Sequence, residues 1–156
     1  MTSRDRAGFE LPLLLLGAFR SVIDELHRAL AEGGHPEARP LHGFALQAVG
    51  PDGATISELG RQLGVSKQAA AKTVTSLERA GYVCREPDPD DGRATRLVRT
   101  ARGEEMLGLS AVFFETYRAR LASKVGPRRL TEAENILEEI GAPIGDYLRG
   151  FPGWLA

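Results

Sequence analysis

Apolar residues recur every three or four positions over residues 12–32, which is the spacing of one face of an α-helix. Pro12 suits the first turn of this helix, where its missing N–H is not needed, and the run Gly33–Pro36 ends it. The same spacing predicts a short helix over 41–49 and a long helix over 101–124. A capping box at Thr131–Glu134 predicts the start of a last helix, which Gly141 and Pro143 should bend.

Capping signals at the centre of the chain predict two short helices in close succession. Thr55 and Glu58 have the spacing of a capping box, and Gly64 is a C-terminal stop signal. Ser66 follows at once as the N-cap of a second helix, which ends near Gly81. This pair of helices has the layout of a helix-turn-helix.

A β-hairpin is predicted directly after these helices. Residues 82–85 and 95–99 are strand-like, and the turn-forming run Pro87–Gly92 lies between them. A helix-turn-helix followed by a hairpin is a winged helix. The predicted fold is therefore mainly α, a winged helix-turn-helix with a small β-hairpin wing and flanking N- and C-terminal helices. The apolar stripes of those flanking helices are broad enough to require a partner, such as a second copy of the chain.

The helix that starts at Ser66 has two chemically different sides. At about 100° per residue, the apolar side is predicted to face the core, and it comprises Ala70, Thr73, Val74, Leu77 and Ala80. The polar side suits the major groove of duplex DNA, where amide, ammonium and hydroxyl groups reach base edges and phosphates. The candidate DNA-binding residues on this side are Ser66, Lys67, Gln68, Ala71, Lys72, Thr75 and Arg79. The alternative interpretation is an ordinary solvated helix face.

Charge is distributed unevenly along the chain. The 156 residues have a formal net charge of −1, so no overall field attracts nucleic acid. Residues 55–103 nevertheless contain nine basic and six acidic residues. Tyr82 is the one aromatic residue of that segment, and proteins that bind single strands stack bases on several aromatic rings. Duplex DNA is therefore the favoured partner.

The predicted tip of the hairpin, Asp91-Gly92-Arg93, is a second candidate DNA contact. An arginine at this place can enter a narrow minor groove, where the negative potential is concentrated. Asp91 is expected to hold the guanidinium of Arg93 in a fixed pose, and Arg96 adds a further basic side chain on the hairpin. The alternative is an ordinary Asp-Gly turn with a solvated arginine.

Residues 55–107 resemble the MarR family of bacterial winged-helix transcription regulators. The resemblance is carried by LERAGYVCR at 77–85, DPDDGRA at 88–94 and TARG at 100–103. It implies a homodimer joined by its first and last helices, with the Ser66–Ala80 helix in the major groove and Arg93 in the minor groove. It also implies a regulator, more often a repressor, that binds a pseudo-palindromic operator and is released by a small molecule or an oxidant.

On this resemblance, residues 1–156 form a single MarR-like domain. Residues 36–103 are its winged helix-turn-helix, and residues 9–33 and 104–156 are its dimerisation helices. The family usually has leucine where this chain has Arg99. A charge at this core position means that Arg99 finds an acidic partner, that it reaches solvent, or that the hairpin register differs. The departure is the sole support for an alternative function, a winged-helix dimer that acts as a protein-interaction module without operator binding.

A small-molecule inducer is expected in a cleft between the first, second and fifth helices, and an organic anion or an apolar molecule would suit it. The candidate ligand-binding residues are Arg20, His42, Phe44, Phe113 and Tyr117. The alternative makes Phe113 and Tyr117 core or dimer contacts and His42 a surface or capping residue.

Other sensing chemistry is disfavoured. Cys84 is the only cysteine, and its predicted place on a buried strand would make it an inert small hydrophobe. The three histidines, His27, His35 and His42, lack the close pairing typical of zinc sites, so no metal is expected.

Enzymatic and membrane functions are also not expected. The sequence contains no Gly-rich phosphate loop, no HExxH and no GxSxG motif, so we predict no catalytic residues and no cofactor. The apolar run Leu11–Phe19 has the length of a signal-peptide core, but Glu10 and Arg20 flank it and no A-x-A site follows. It is also too short to span a bilayer. The expected location is the cytoplasm.

Overall fold

The computed structural model describes residues 7–141, which form six helices and a two-stranded hairpin. None of these six helices combines the length and the apolar character that crossing a bilayer requires. The predicted fold class, mainly helical with a hairpin wing, is confirmed. The elements are α1 Glu10–Glu32, α2 Pro40–Val49, α3 Ile56–Leu63, α4 Lys67–Arg79, β1 Val83–Pro87, β2 Thr95–Arg99, α5 Ala101–Val125 and α6 Pro127–Ile140.

The hydrophobic core lies where α2 packs against α3, α4, α5 and the wing. Leu46, Leu59, Leu77 and Tyr82 are completely buried there, and Leu97 of β2 joins them. Helix α1 adds fully buried residues only from Ile23 onward, with Phe19 partly buried against the core, so its first two turns lie outside this core. The core therefore holds the helix-turn-helix and the wing as one unit and leaves part of α1 uncovered.

Local capping signals fix both ends of α3. The hydroxyl of Thr55 accepts the N–H of Glu58 at 3.2 Å, and the Glu58 carboxylate accepts the N–H of Thr55 at 2.8 Å. These hydrogen bonds hold the pKa of Glu58 below its ordinary value. Gly64 ends the helix in the left-handed conformation, with φ of 66°. Ser66 then accepts the N–H of Ala69 at 3.1 Å and starts α4, so both predicted caps are confirmed.

The last two helices differ from the predicted ones at their junction. Thr100 caps α5 by accepting the N–H of Gly103 at 3.1 Å, a signal that the sequence reading overlooked. Helix α6 starts at Pro127, so Thr131 lies inside it and the predicted capping box there was wrong. Proline at the first helical position has a φ already suited to the helix, and this starts α6 one turn early. The expected bend at Gly141 and Pro143 lies at and beyond the end of the described residues.

The wing is an antiparallel pair in which Val83 faces Arg99 and Pro87 faces Thr95. Strand β1 thus extends two residues further than predicted. Cys84 is exposed on this strand, so the expectation that it is buried was wrong. A two-stranded sheet covers only one of its faces, and Cys84 lies on the open one.

Arg99 fits this register without displacing the core. Its Nε donates to the carbonyl of Leu46 at 2.8 Å, and its Nη1 lies 3.3 Å from a carboxylate oxygen of Glu104. The side chain is only 11% exposed. Of the three explanations for this unusual arginine, the acidic partner is therefore the correct one.

Candidate nucleic-acid interface

The polar side of α4 is open to solvent. Its side chains Lys67, Gln68, Lys72, Thr75 and Arg79 are exposed, as is the cap residue Ser66, and Ala71 is half-buried among them. The opposite side is buried as predicted, and it comprises Ala70, Thr73, Val74, Leu77 and Ala80. One face of the helix thus fastens it to the core, and the other presents amide, ammonium, hydroxyl and guanidinium groups together.

The cationic side chains of this outward face are not used inside the protein. Lys67, Lys72 and Arg79 form no ion pair within residues 7–141. The neighbouring acid on the helix, Glu78, is bound by Arg85 of the wing through two hydrogen bonds of 2.8 and 3.3 Å. The outward face therefore keeps its positive charge available for an external anion.

The wing tip is shaped by Asp91. Its carboxylate accepts the backbone N–H of Arg93 at 3.0 Å, and its carbonyl accepts the N–H of Ala94 at 2.8 Å. Asp91 thus fixes the backbone of the turn, whereas we had expected it to hold the Arg93 guanidinium. The Arg93 side chain is exposed, and within residues 7–141 it forms no ion pair.

Arg96 anchors the wing to the body of the protein. Its Nε and Nη2 donate to the carbonyls of Asp52 and Gly53 at 3.0 and 3.1 Å, and its Nη1 reaches Asp88 at 3.3 Å. The Asp88 carboxylate also accepts the N–H of Asp90, and together these bonds lower the pKa of Asp88. All three nitrogens of Arg96 are therefore directed inward, so its geometry favours a structural role over the DNA contact we had expected.

His42 connects α2 to α4. Its Nδ1 accepts the backbone N–H of Arg39 at 3.3 Å, so the proton of the neutral ring lies on Nε2, which donates to the Ser76 hydroxyl at 2.8 Å. The ring is buried, at 2% exposure, and packs edge-on against Tyr82. Burial lowers the pKa of His42 to about 4, with a further contribution from Arg39. His42 is thus a capping residue, but it is not on the surface.

This histidine makes stability depend on pH. The unfolded chain takes up a proton near pH 6.5 and the folded chain only near pH 4, so the stabilisation is complete above pH 6.5 and is lost as the pH falls toward 4. We expect the free energy of unfolding, measured with urea, to drop by on the order of 1–2 kcal/mol from this group between pH 7 and 5.

The variant His42→Gln separates this effect from that of His27, whose pKa is also lowered by burial. The variant should be less stable than the wild type at pH 7 and should lose less stability on acidification. An equal loss in both proteins would assign the pH dependence to other groups.

Arg102, in the first turn of α5, joins this helix to residues 34–37 and 80–82. The sequence analysis did not single it out. Arg102 donates to the carbonyls of Ala80 and Gly34 at 3.1 and 3.0 Å, forms an ion pair with Glu37, and stacks on the Tyr82 ring. This pair lowers the pKa of Glu37 and raises that of Arg102. The signal was available in the TARG motif, but the partners of Arg102 are 20 to 68 residues away in the chain and cannot be predicted from spacing.

A cleft of about 100 Å³ opens between α1, α2 and α5. Of the predicted ligand residues only Phe44 lines it. Arg20 lies on the exposed surface of α1. His42 lies on the side of α2 that faces Ser76 of α4, and Phe113 and Tyr117 pack against each other elsewhere on α5. The cleft is mostly apolar and is lined by Ile23, Leu26, His27, Leu30, Arg39, Pro40, Gly43, Phe44, Gln47, Met106, Leu107, Ser110 and Phe114.

Comparison with known proteins gives consistent similarities. Residues 44–94 match the model of the MarR family. The chain is 46% identical over 44 residues to the HTH-type transcriptional regulator YcgE of Bacillus subtilis. This match covers 28% of this chain and 29% of that protein. Its fold resembles that of transcriptional regulator Tm0710 of Thermotoga maritima, with a TM-score of 0.57 and 28% identity over 84% of this chain and 91% of that one. Residues 44–94 of this winged helix-turn-helix are thus similar to the MarR family in sequence.

The similarity in fold extends beyond residues 44–94. The structure of the S. aureus MepR–DNA complex covers 81% of this chain and 92% of its own, with a TM-score of 0.63 and 17% identity. The chain's matches to the curated relatives span only about a third of the length of those proteins.

The helices that flank the MarR-family segment carry the large exposed apolar side chains. Helix α1 starts beside Phe9, which is 69% exposed, and Leu13 is 61% exposed. On α5 and α6, Val112 and Ile140 are 66% and 59% exposed. The remaining exposed apolar residues are Leu11, Leu14, Leu15, Leu16, Leu109, Phe114, Ile136 and Leu137.

Among residues 7–141, no group of three or more His, Cys, Asp or Glu side chains is placed to hold a metal ion.

Proposed function

We propose that this protein is a sequence-specific transcription regulator that binds duplex DNA through α4 and the wing. The observation that carries the proposal is the outward face of α4, where the exposed cations Lys67, Lys72 and Arg79 form no ion pair within residues 7–141. In this role Lys67, Gln68, Lys72, Thr75 and Arg79 contact base edges and phosphates, and Ala71 leaves room for close approach. Ser66 places the positive end of the helix near a phosphate, and Arg93 of the wing enters the minor groove. The proposed site of action is the cytoplasm.

The proposed active form is a homodimer on a pseudo-palindromic operator. Support comes from the exposed apolar side chains, which in the described part of the chain lie on or beside α1, α5 and α6. Five of these side chains, Leu11, Leu13, Leu14, Leu15 and Leu16, lie close together on the first turns of α1, and large exposed apolar patches are rare on monomers. Residues 36–103 then read DNA, and the segments 9–33 and 104–156 join the two copies. A two-fold axis in the protein matches two half-sites in the DNA.

The proposed regulation is repression that a small molecule relieves. The cleft between α1, α2 and α5 supports this, because its wall is mostly apolar and also carries the ring of His27, which can hydrogen-bond to the carboxylate of an organic acid. Arg39 and Pro40 start α2, so a ligand in the cleft touches the helix that His42 connects to α4.

The protein-interaction module loses its support in this structure. That alternative depended on Arg99 disturbing the wing, and Arg99 is accommodated by the Leu46 carbonyl and Glu104. No other observation favours it.

We expect binding to duplex DNA to weaken steeply with salt, because Lys and Arg displace counterions from phosphates. The logarithm of the association constant should fall against the logarithm of salt concentration by about 0.9 per phosphate contacted. Fluorescence anisotropy with a duplex of about 30 base pairs, selected from a random library, measures this slope. The variant Arg93→Ala should bind the selected duplex about 1–3 kcal/mol more weakly.

Arg128→Ala is the matched control, because Arg128 lies on α6 with a side chain that is 91% exposed. This variant should bind as the wild type does. A wild-type slope near zero would overturn the proposal in favour of a protein-interaction module. Wild-type affinity in Arg93→Ala, with a steep slope retained, would remove only the wing from the interface.

A further inference from the structure

A polar recess of about 260 Å³ lies between the start of α2 and the edge of α4. Its cationic side chains come from two different helices, Arg39 from the N-terminal end of α2 and Lys72 and Arg79 from α4. Thr75 adds a hydroxyl between the two α4 cations. The recess therefore gathers three positive charges, one from α2 and two from α4, and Arg39 precedes the nearer α4 cation by 33 residues in the chain.

No acid inside the recess neutralises these charges. Glu37 is its one acidic lining residue, and its carboxylate is already bound by Arg102. His42 lines the recess as a neutral ring, since both of its nitrogens are used in hydrogen bonds that fix the neutral form. Arg39, like Lys72 and Arg79, forms no ion pair within residues 7–141. Three exposed cations that converge without a partner repel one another until an anion binds between them.

The position of the recess identifies the anion. An α-helix with its side chains is about 10–12 Å wide, and the major groove is about 12 Å wide. A helix in the groove therefore has a phosphate backbone along each edge. Lys72, Thr75 and Arg79 lie on successive turns of one edge of α4, and Arg39 stands across the recess from them.

We propose that this recess binds a backbone phosphate of duplex DNA, and that Arg39 is a DNA-contacting residue outside the helix-turn-helix. The inference rests on the proposed function and extends it, because it adds a contact from α2 that neither α4 nor the wing provides. A phosphate contact carries no sequence information, so Arg39 raises affinity equally for all sequences and fixes the position of α4 in the groove.

The test compares Arg39→Gln with the wild type in the anisotropy assay, using the selected duplex and an unselected random duplex of the same length. Loss of one phosphate contact from each copy of the dimer should lower the magnitude of the salt slope by about 1.8, which is about 0.9 per contact. It should weaken both complexes by the same factor, roughly tenfold at low salt. Arg39→Lys retains the charge and should restore most of the slope.

Two further variants make the result specific. Arg128→Ala, remote from the recess, should leave the slope unchanged, and Lys72→Gln should lower it. If Arg39→Gln keeps the wild-type slope while Lys72→Gln lowers it, the recess proposal is wrong and the proposed function stands. If the wild-type slope itself is near zero, the proposed function fails.

Inorganic phosphate distinguishes a backbone phosphate from a free anion. It is titrated into the free wild-type protein at constant ionic strength, and binding is followed by calorimetry. Little or no heat is expected, because a lone phosphate lacks the other contacts of the duplex. Saturable binding that Arg39→Gln abolishes would overturn the assignment to DNA and make the recess a site for a free anion.

Discussion

Replacing Gly103 by alanine should destabilise the protein by about 1–3 kcal/mol, the usual cost of overpacking. A Cβ at Gly103 would lie 2.3 Å from the carbonyl oxygen of Tyr82 and 3.2 Å from its carbon. Neither backbone can retreat easily, because Tyr82 is completely buried and its carbonyl accepts the N–H of Thr100 at 3.0 Å. Urea denaturation of the wild type and of Gly103→Ala measures the difference in the free energy of unfolding.

Gly108→Ala on the same helix is the matched control. No atom lies within 4 Å of the Cβ position at Gly108, and the residue is exposed. Alanine should therefore stabilise α5 there by up to about 1 kcal/mol through helix propensity. Equal stability of the two variants would show that α5 does not approach Tyr82 as closely as described.

Leu13→Glu should convert the proposed dimer into monomers and reduce affinity for a two-site duplex by about 100-fold or more. Leu13 is 61% exposed in the single chain, next to other exposed leucines of α1. Burying a leucine contributes about 1.5–3 kcal/mol, and a two-fold interface loses this contribution twice while it must also accommodate two carboxylates. Without the partner, each copy binds one half-site alone.

Sedimentation equilibrium measures the association state, and anisotropy measures DNA binding. Ala31→Glu places the same charge at an exposed site of α1 that lies outside the apolar patch of residues 11–16, and it should leave both unchanged. A Leu13→Glu variant that remains dimeric would show that the first turns of α1 lie outside the dimer interface.

Short-range features of this fold could be predicted from the sequence. The Thr55–Glu58 capping box, the left-handed Gly64 and the Ser66 cap all depend on residues within four positions of each other. The buried and exposed sides of α4 follow from helical periodicity, and every residue predicted for its core side is buried. The α6 start was missed because two local signals competed, and proline at the first helical position prevailed over the later threonine.

Features that join distant segments could not be predicted in this way. The place of Arg96 depends on the carbonyls of Asp52 and Gly53, more than 40 residues away. The cleft between α1, α2 and α5 was expected, yet of its lining residues only Phe44 was named, since a shift of one residue turns a side chain by about 100°.

The sequence by itself determined the order of the elements, the two faces of α4 and the family resemblance, because hydrogen-bonding caps and apolar periodicity act within a few residues. The tertiary structure alone decided that Cys84 is exposed, that Arg99 is held by Leu46 and Glu104, and that Arg39 stands beside Lys72. These relations arise from packing between helices, which brings together residues that no local pattern connects.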